Sequence, residues 1–222
     1  MFYILVSFVF GALIPYMSRR FAKFMPATAA YAIYRLIKPN KISSKRNDKY
    51  KKLLKDYKLR SLLYACVSAI LSGLVWFRLG DANIGWWLGF VWTLLLLTEI
   101  DIKMFLLPDI LTVPLLICGF VFATISNPFI SPLESSVAAL AGYVIPVIAT
   151  LAMLWRSVDA FGGGDIKLLT AIGAWLGVEP LIYTILSSCV IFGVYSLIKR
   201  QRAGAFGPSL AIGAILVLLS VF

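Results

Sequence analysis

The chain has 222 residues, 61% of them apolar and 14% charged, with a mean hydropathy of +0.91. Soluble domains run nearer ~45–50% apolar and ~25% charged, so this composition is that of an integral membrane protein. It excludes a secreted enzyme, a disordered tail or a nucleic-acid-binding domain as the main reading. The net charge of +11 is concentrated in one segment and the rest of the chain is nearly neutral.

The first apolar run is Phe2 to Met17. No basic residue precedes it, and Arg19 and Arg20 follow at once. A signal peptide has the opposite polarity. The run is therefore expected to be a retained helix with its N-terminus outside. Segment 19–60 then carries 14 Lys/Arg against Asp48 and Asp56. In a membrane chain such a run marks a cytoplasmic loop by the positive-inside rule, with anionic lipid as its natural neighbour. It lacks the interleaved aromatics of a nucleic-acid platform. Its weak helical spacing (Tyr50, Leu53, Leu54, Tyr57) fits an interfacial helix.

Seven further apolar runs follow, near 61–79, 84–100, 110–127, 136–155, 166–179, 181–198 and 207–222. Turn chemistry separates them, as in Gly80-Asp81-Ala82-Asn83 and Ser126-Asn127-Pro128. The expected fold is all-α, a polytopic membrane protein of about eight transmembrane helices with the N-terminus outside (periplasmic), built as one domain over residues 1–222. Threaded that way, 20 of the 21 Lys/Arg fall inside and only Arg78 falls outside. That asymmetry supports the topology. Trp76, Trp86 and Trp87 lie by the first outer turn, where an aromatic belt is expected.

The absence of histidine removes HExxH metalloproteases, Ser–His and Cys–His hydrolases, and His-zinc sites. Cys66, Cys118 and Cys189 lie far apart in apolar runs, form no CxxC, and are expected to be buried thiols. Carboxylates are the chemistry that remains. Asp81, Glu134 and Glu179 belong to outer turns, and Asp48 and Asp56 to the basic segment. Glu99, Asp101, Asp109, Asp159 and Asp165 all fall at inner ends of runs. A carboxylate at membrane depth costs ~2.5–3.5 kcal/mol on insertion scales and marks a functional site.

Two stretches stand out. In the first, apolar residues lead up to Asp101 and resume at Met104, and Pro108 ends the connection before Asp109, a helix N-cap candidate. In the second, Gly162, Gly163 and Gly164 form an irregular, closely approachable backbone just before Asp165. Asp165 then either simply caps the next helix or works as a functional carboxylate. The topology puts Asp101 and Asp165 on one side of the membrane. Two facing carboxylates can share one proton and activate one water, without histidine, metal or cofactor.

At these residues the chain resembles the type IV prepilin peptidases, which are GxGD-type intramembrane aspartyl proteases. The matching blocks are Gly162-Gly163-Gly164-Asp165-Ile166-Lys167-Leu168-Leu169, continuing through Gly173 to Gly177; Ile100-Asp101 with Leu106-Leu107-Pro108-Asp109; and Phe206-Gly207-Pro208-Ser209-Leu210. The resemblance implies that Asp101 and Asp165 are the catalytic pair, supported by Gly162, Gly163, Gly164, Pro108 and Asp109. It implies no metal and no cofactor. The implied substrates are type IV prepilins or pseudopilins, cleaved after a glycine at the cytoplasmic face of the bacterial inner membrane. Many family members carry CxxC pairs that bind zinc in the first cytoplasmic loop and also methylate the new N-terminus. Segment 19–60 has no cysteine, which implies a peptidase without methyl transfer. Two other classes share part of the pattern: an ion- or proton-coupled transporter, and a non-catalytic pilus or secretion assembly subunit. A transporter calls for mid-span carboxylates, and the chain clusters its own at one face.

Overall fold

The computed structural model describes residues 2–24, 48–81, 83–154, 162–200 and 204–222. Among these, eight helices follow in order: α1 (Phe2–Phe24), α2 (Asp48–Leu79), α3 (Ile84–Met104), α4 (Asp109–Ile125), α5 (Pro132–Leu154), α6 (Gly163–Leu176), α7 (Val178–Lys199) and α8 (Gly207–Val221). Parts of α1, α2, α3, α5 and α7 are long and apolar enough to cross a membrane. α4 and α8 are shorter apolar helices, and α6 has 14 residues.

Several helices outrun their apolar stretches. α1 continues past Arg19 and Arg20 to Phe24, and α2 begins at Asp48, so both ends of the basic segment are helical rather than loop. The middle of that segment, and Asp159, lie outside the described residues. Arg19 stacks on Tyr57 at 4.7 Å and Arg20 on Tyr16 at 5.2 Å, so these cations lie along the helices they flank. α6 stops at Gly177, whose positive φ of 90° ends it three residues sooner than the apolar run suggested.

α3 is the hub. Of its apolar window 67% is inside the protein, against 28% or less for the other four long helices. α1 and α2 pair closely with each other and both pack on α3, α4 and α8 meet it elsewhere, α6 packs mainly on α4 and α5, and α7 pairs with α8. α6 is held by specific bonds: Trp175 Nε1 donates to the Leu115 carbonyl of α4 (2.8 Å), and Ser135 Oγ of α5 donates to the Ala174 carbonyl (2.7 Å). Gly142 lets α5 lie against the Leu169 backbone; a Cβ there would come within 2.9 Å of the Leu169 carbonyl carbon.

Two expectations are corrected. Trp87 is not in an interfacial belt: it is 1% exposed and packs with Phe122 and Trp175 in an aromatic core. The three cysteines are exposed on the outer faces of their helices, not buried. An apolar residue on such a helix is equally at home against lipid and against protein.

Candidate active site

The end of α3 is set by Phe105, which adopts a left-handed conformation (φ 53°) and returns its N–H to the Asp101 carbonyl at 2.9 Å. This stop fixes Asp101 in the last helical turn, 4% exposed. Its Oδ2 accepts the backbone N–H of Gly207 at 2.9 Å. Gly207 is the first residue of α8, and Pro208 follows it, a residue suited to a helix start. A helix start presents unsatisfied N–H groups, and the Asp101 carboxylate takes one of them.

The chain then runs through Leu106 and Leu107 to Pro108. Pro108 is buried, and its carbonyl accepts the N–H groups of Leu111 (3.0 Å) and Thr112 (3.1 Å). Pro108 is the cap residue of α4, and Asp109 is already its first helical residue, so the expected Asp109 N-cap is not formed. The Asp109 carboxylate instead takes Lys167 Nζ at 2.7 Å on both oxygens, tying the start of α4 to the start of α6.

Gly162 caps α6, and Gly163 and Gly164 lie within its first turn. The three glycines therefore do not form a broken loop. Two of them are helical, and Gly162 alone stays extended. Asp165 stands three residues beyond the cap, so it is not the cap residue considered above. Its backbone N–H donates to the Gly162 carbonyl (3.0 Å), and the Gly162 backbone in turn hydrogen-bonds the Asp165 carboxylate. The second bond is one half of a capping box, with the carboxylate three residues on serving the cap residue's N–H; the other half is missing because glycine has no side chain. The open side of Gly164 faces Leu107: a Cβ there would lie 2.9 Å from Leu107 Cβ. The glycine thereby lets the Asp165 turn lie flush against the α3–α4 connection.

The result is that Asp101, from α3, and Asp165, from α6, lie within electrostatic reach of each other. Gly162 lies against the Asp165 carboxylate, Gly164 against Leu107, and Pro108 is buried just ahead of α4. Gly163 is exposed with no neighbour within 4 Å of its open side, and Asp109 is exposed and paired with Lys167. Two features escaped the sequence. One is the Gly207 amide on Asp101, visible in sequence only as part of a matching block. The other is Glu99, 1% exposed and ringed by donors, which in sequence looks like any carboxylate at a helix end.

The Type IV leader peptidase family model matches residues 88–197, a span that includes Asp101 and Asp165. The chain belongs to this family. Proteins named prepilin leader peptidase/N-methyltransferase are similar to it. That of Vibrio cholerae serotype O1 is 33% identical over 140 residues, 60% of this chain and 55% of that protein. That of Dichelobacter nodosus is 37% identical over 165 residues, 72% of this chain and 57% of that protein. That of Pectobacterium carotovorum is 40% identical over 130 residues, 55% and 46% of the two. The chain spans about half the length of these relatives. No solved structure matches it.

The Lys167–Asp109 bridge of this family member is half-exposed at both ends. Exposed pairs contribute ~0–1 kcal/mol. Asp109→Asn or Lys167→Met should therefore lower the unfolding stability of the purified chain in detergent by no more than ~1 kcal/mol. A larger loss would mean that the bridge does more than join two exposed helix starts.

Proposed function

We propose that the chain is a membrane-embedded aspartyl endopeptidase that removes the leader peptide of type IV prepilins or pseudopilins. Cleavage follows a glycine at the cytoplasmic face of the bacterial inner membrane, and Asp101 and Asp165 carry the reaction. The observation that carries this reading is the pairing itself: a buried carboxylate held by a helix-start amide, with a second carboxylate in reach on another helix. In this reading the dyad holds one proton. The ionised member takes a proton from water as the water attacks the scissile carbonyl. The protonated member hydrogen-bonds the carbonyl oxygen as charge develops there. Collapse of the tetrahedral intermediate returns a proton to the leaving amine. The roles belong to the pair and not to one member.

Eight helices threaded with the N-terminus outside put both carboxylates on the side that collects 20 of the 21 Lys/Arg. With 14 residues, α6 rises only ~21 Å. That is short of a ~30 Å hydrocarbon core, which favours a dyad below the membrane surface, within reach of a substrate helix that has just left the bilayer. Segment 19–60, which has no cysteine, supports cleavage without methyl transfer. Co-expression with a type IV prepilin tests all of this. The mature product should begin immediately after the leader glycine and carry no added methyl mass. A full-length prepilin would overturn the reading, and a methylated product would overturn its peptidase-only part.

A further inference from the structure

Glu99 stands two residues before Asp101 on α3, and it is almost completely enclosed. Its Oε2 accepts the Tyr64 hydroxyl at 2.8 Å. Its Oε1 accepts Arg60 Nη1 at 3.4 Å and pairs with Lys103 Nζ one turn along. Lys103 Nζ also donates to Ser18 Oγ at 2.8 Å, and Ser18, itself buried, donates to the Pro15 carbonyl at 3.1 Å. One carboxylate thus gathers α1, α2 and α3 at a single point.

Residues two apart on a helix point ~200° from each other. Accordingly, Glu99 faces α1 and α2, while Asp101 faces the start of α8. α3 is gripped from both sides within the same turn. A buried ionic cluster contributes little net stability, because desolvation offsets the attraction, and an apolar replacement often serves the fold as well. What such a cluster supplies well is register. Two donors from α2, Arg60 and Tyr64, take one Glu99 oxygen each and fix both the rotation of α3 and its sliding along α2, while Lys103 of α3 itself carries the link on to Ser18 of α1. An apolar contact between helices would tolerate either movement.

We propose that Glu99 is a positioning residue: its clamp to Arg60, Tyr64, Lys103 and, through Lys103, Ser18 sets the rotation of α3 that aims Asp101 at Gly207 and Asp165. For catalysis this rests on the peptidase reading, and for the alignment of α3 with α8 it does not. The test therefore has two arms.

The first arm measures cleavage of a purified type IV prepilin by the full chain in detergent micelles. Glu99→Gln keeps shape and removes the charge. It should lower kcat by about tenfold to a hundredfold, the scale set by a misplacement of ~1 Å, with KM within about twofold of wild type because binding is left intact. The second arm needs no substrate. The Cβ position of Gly207 lies 3.4 Å from Asp101 Cβ, close to the ~3.5–4.5 Å of a disulfide. An Asp101→Cys/Gly207→Cys chain, with Cys66, Cys118 and Cys189 changed to Ala, should cross-link readily on oxidation. Adding Glu99→Gln should slow that cross-linking several-fold.

If Glu99→Gln does not accumulate, Tyr64→Phe decides. It removes one donor, keeps every charge, and should move both readouts in the same direction by less. Absence of cleavage by wild type would defeat the peptidase reading and leave the cross-linking arm to judge the clamp. Unchanged cross-linking in these variants, or a fall in cleavage through KM alone, would overturn the clamp.

Discussion

A Gly207→Ala chain should insert and accumulate like wild type and cleave about a hundredfold more slowly, as expected for a ~1 Å displacement of a reacting group. The added Cβ would lie 2.7 Å from Asp101 Oδ2, 3.2 Å from Cγ and 3.4 Å from Cβ. Something has to give. The nearest backbone of α3 is not what the methyl meets; the carboxylate is. Asp101 can swing aside, which preserves the fold but breaks the Gly207 N–H bond and moves the carboxylate proposed to carry the reaction. The damage is therefore expected in kcat and not in protein level. Gly193 provides the control, since nothing lies within 4 Å of its open side. Gly193→Ala should leave cleavage unchanged, with rates and membrane levels measured together. A Gly207→Ala enzyme as fast as Gly193→Ala would mean that Asp101 needs no fixed position.

Asp101→Asn and Asp165→Asn should each reduce cleavage by at least ~10³-fold, as loss of an essential proton-transfer group does. Both changes preserve volume. Asparagine at position 101 keeps an oxygen to accept the Gly207 N–H, so α8 stays docked. Asparagine at position 165 likewise keeps an acceptor for the Gly162 backbone. What each loses is ionisation, so the pair can no longer pass a proton. The double variant should be no slower than either single one, because a unit is disabled only once. Additive losses would instead describe two carboxylates working independently. Initial rates on one prepilin, with expression matched by immunoblot, distinguish the two.

Much of this was legible in the sequence, and most of the failures share one physical source. Helix content and order followed from apolar runs and turn residues, and Asp101 and Asp165 stood out as carboxylates beside apolar and glycine-rich stretches. The facing of each helix did not follow. In a soluble protein one helix face is polar, so periodicity shows which side is buried. Here lipid and protein interior are both apolar, and Trp87 reads like a residue of the interface although it is core. Cys66, Cys118 and Cys189 read as core although they face outward. Glu99 suffers from the same blindness: sequence shows a carboxylate near a helix end, and only packing reveals the ring of Arg60, Tyr64 and Lys103. The glycine run failed differently. Glycines are poor helix formers on average, but two of them are helical here, and the reciprocal bonds between Gly162 and Asp165 support the turn they occupy.

The most direct measurement is cleavage of a purified type IV prepilin by the purified chain, with wild type, Asp101→Asn and Asp165→Asn side by side and the products read by mass spectrometry. Wild type should release the leader at a single bond after its glycine, and both variants should leave the prepilin intact. Cleavage that persists in either variant, or a prepilin untouched by wild type, would contradict the assignment of this pair as a peptidase dyad.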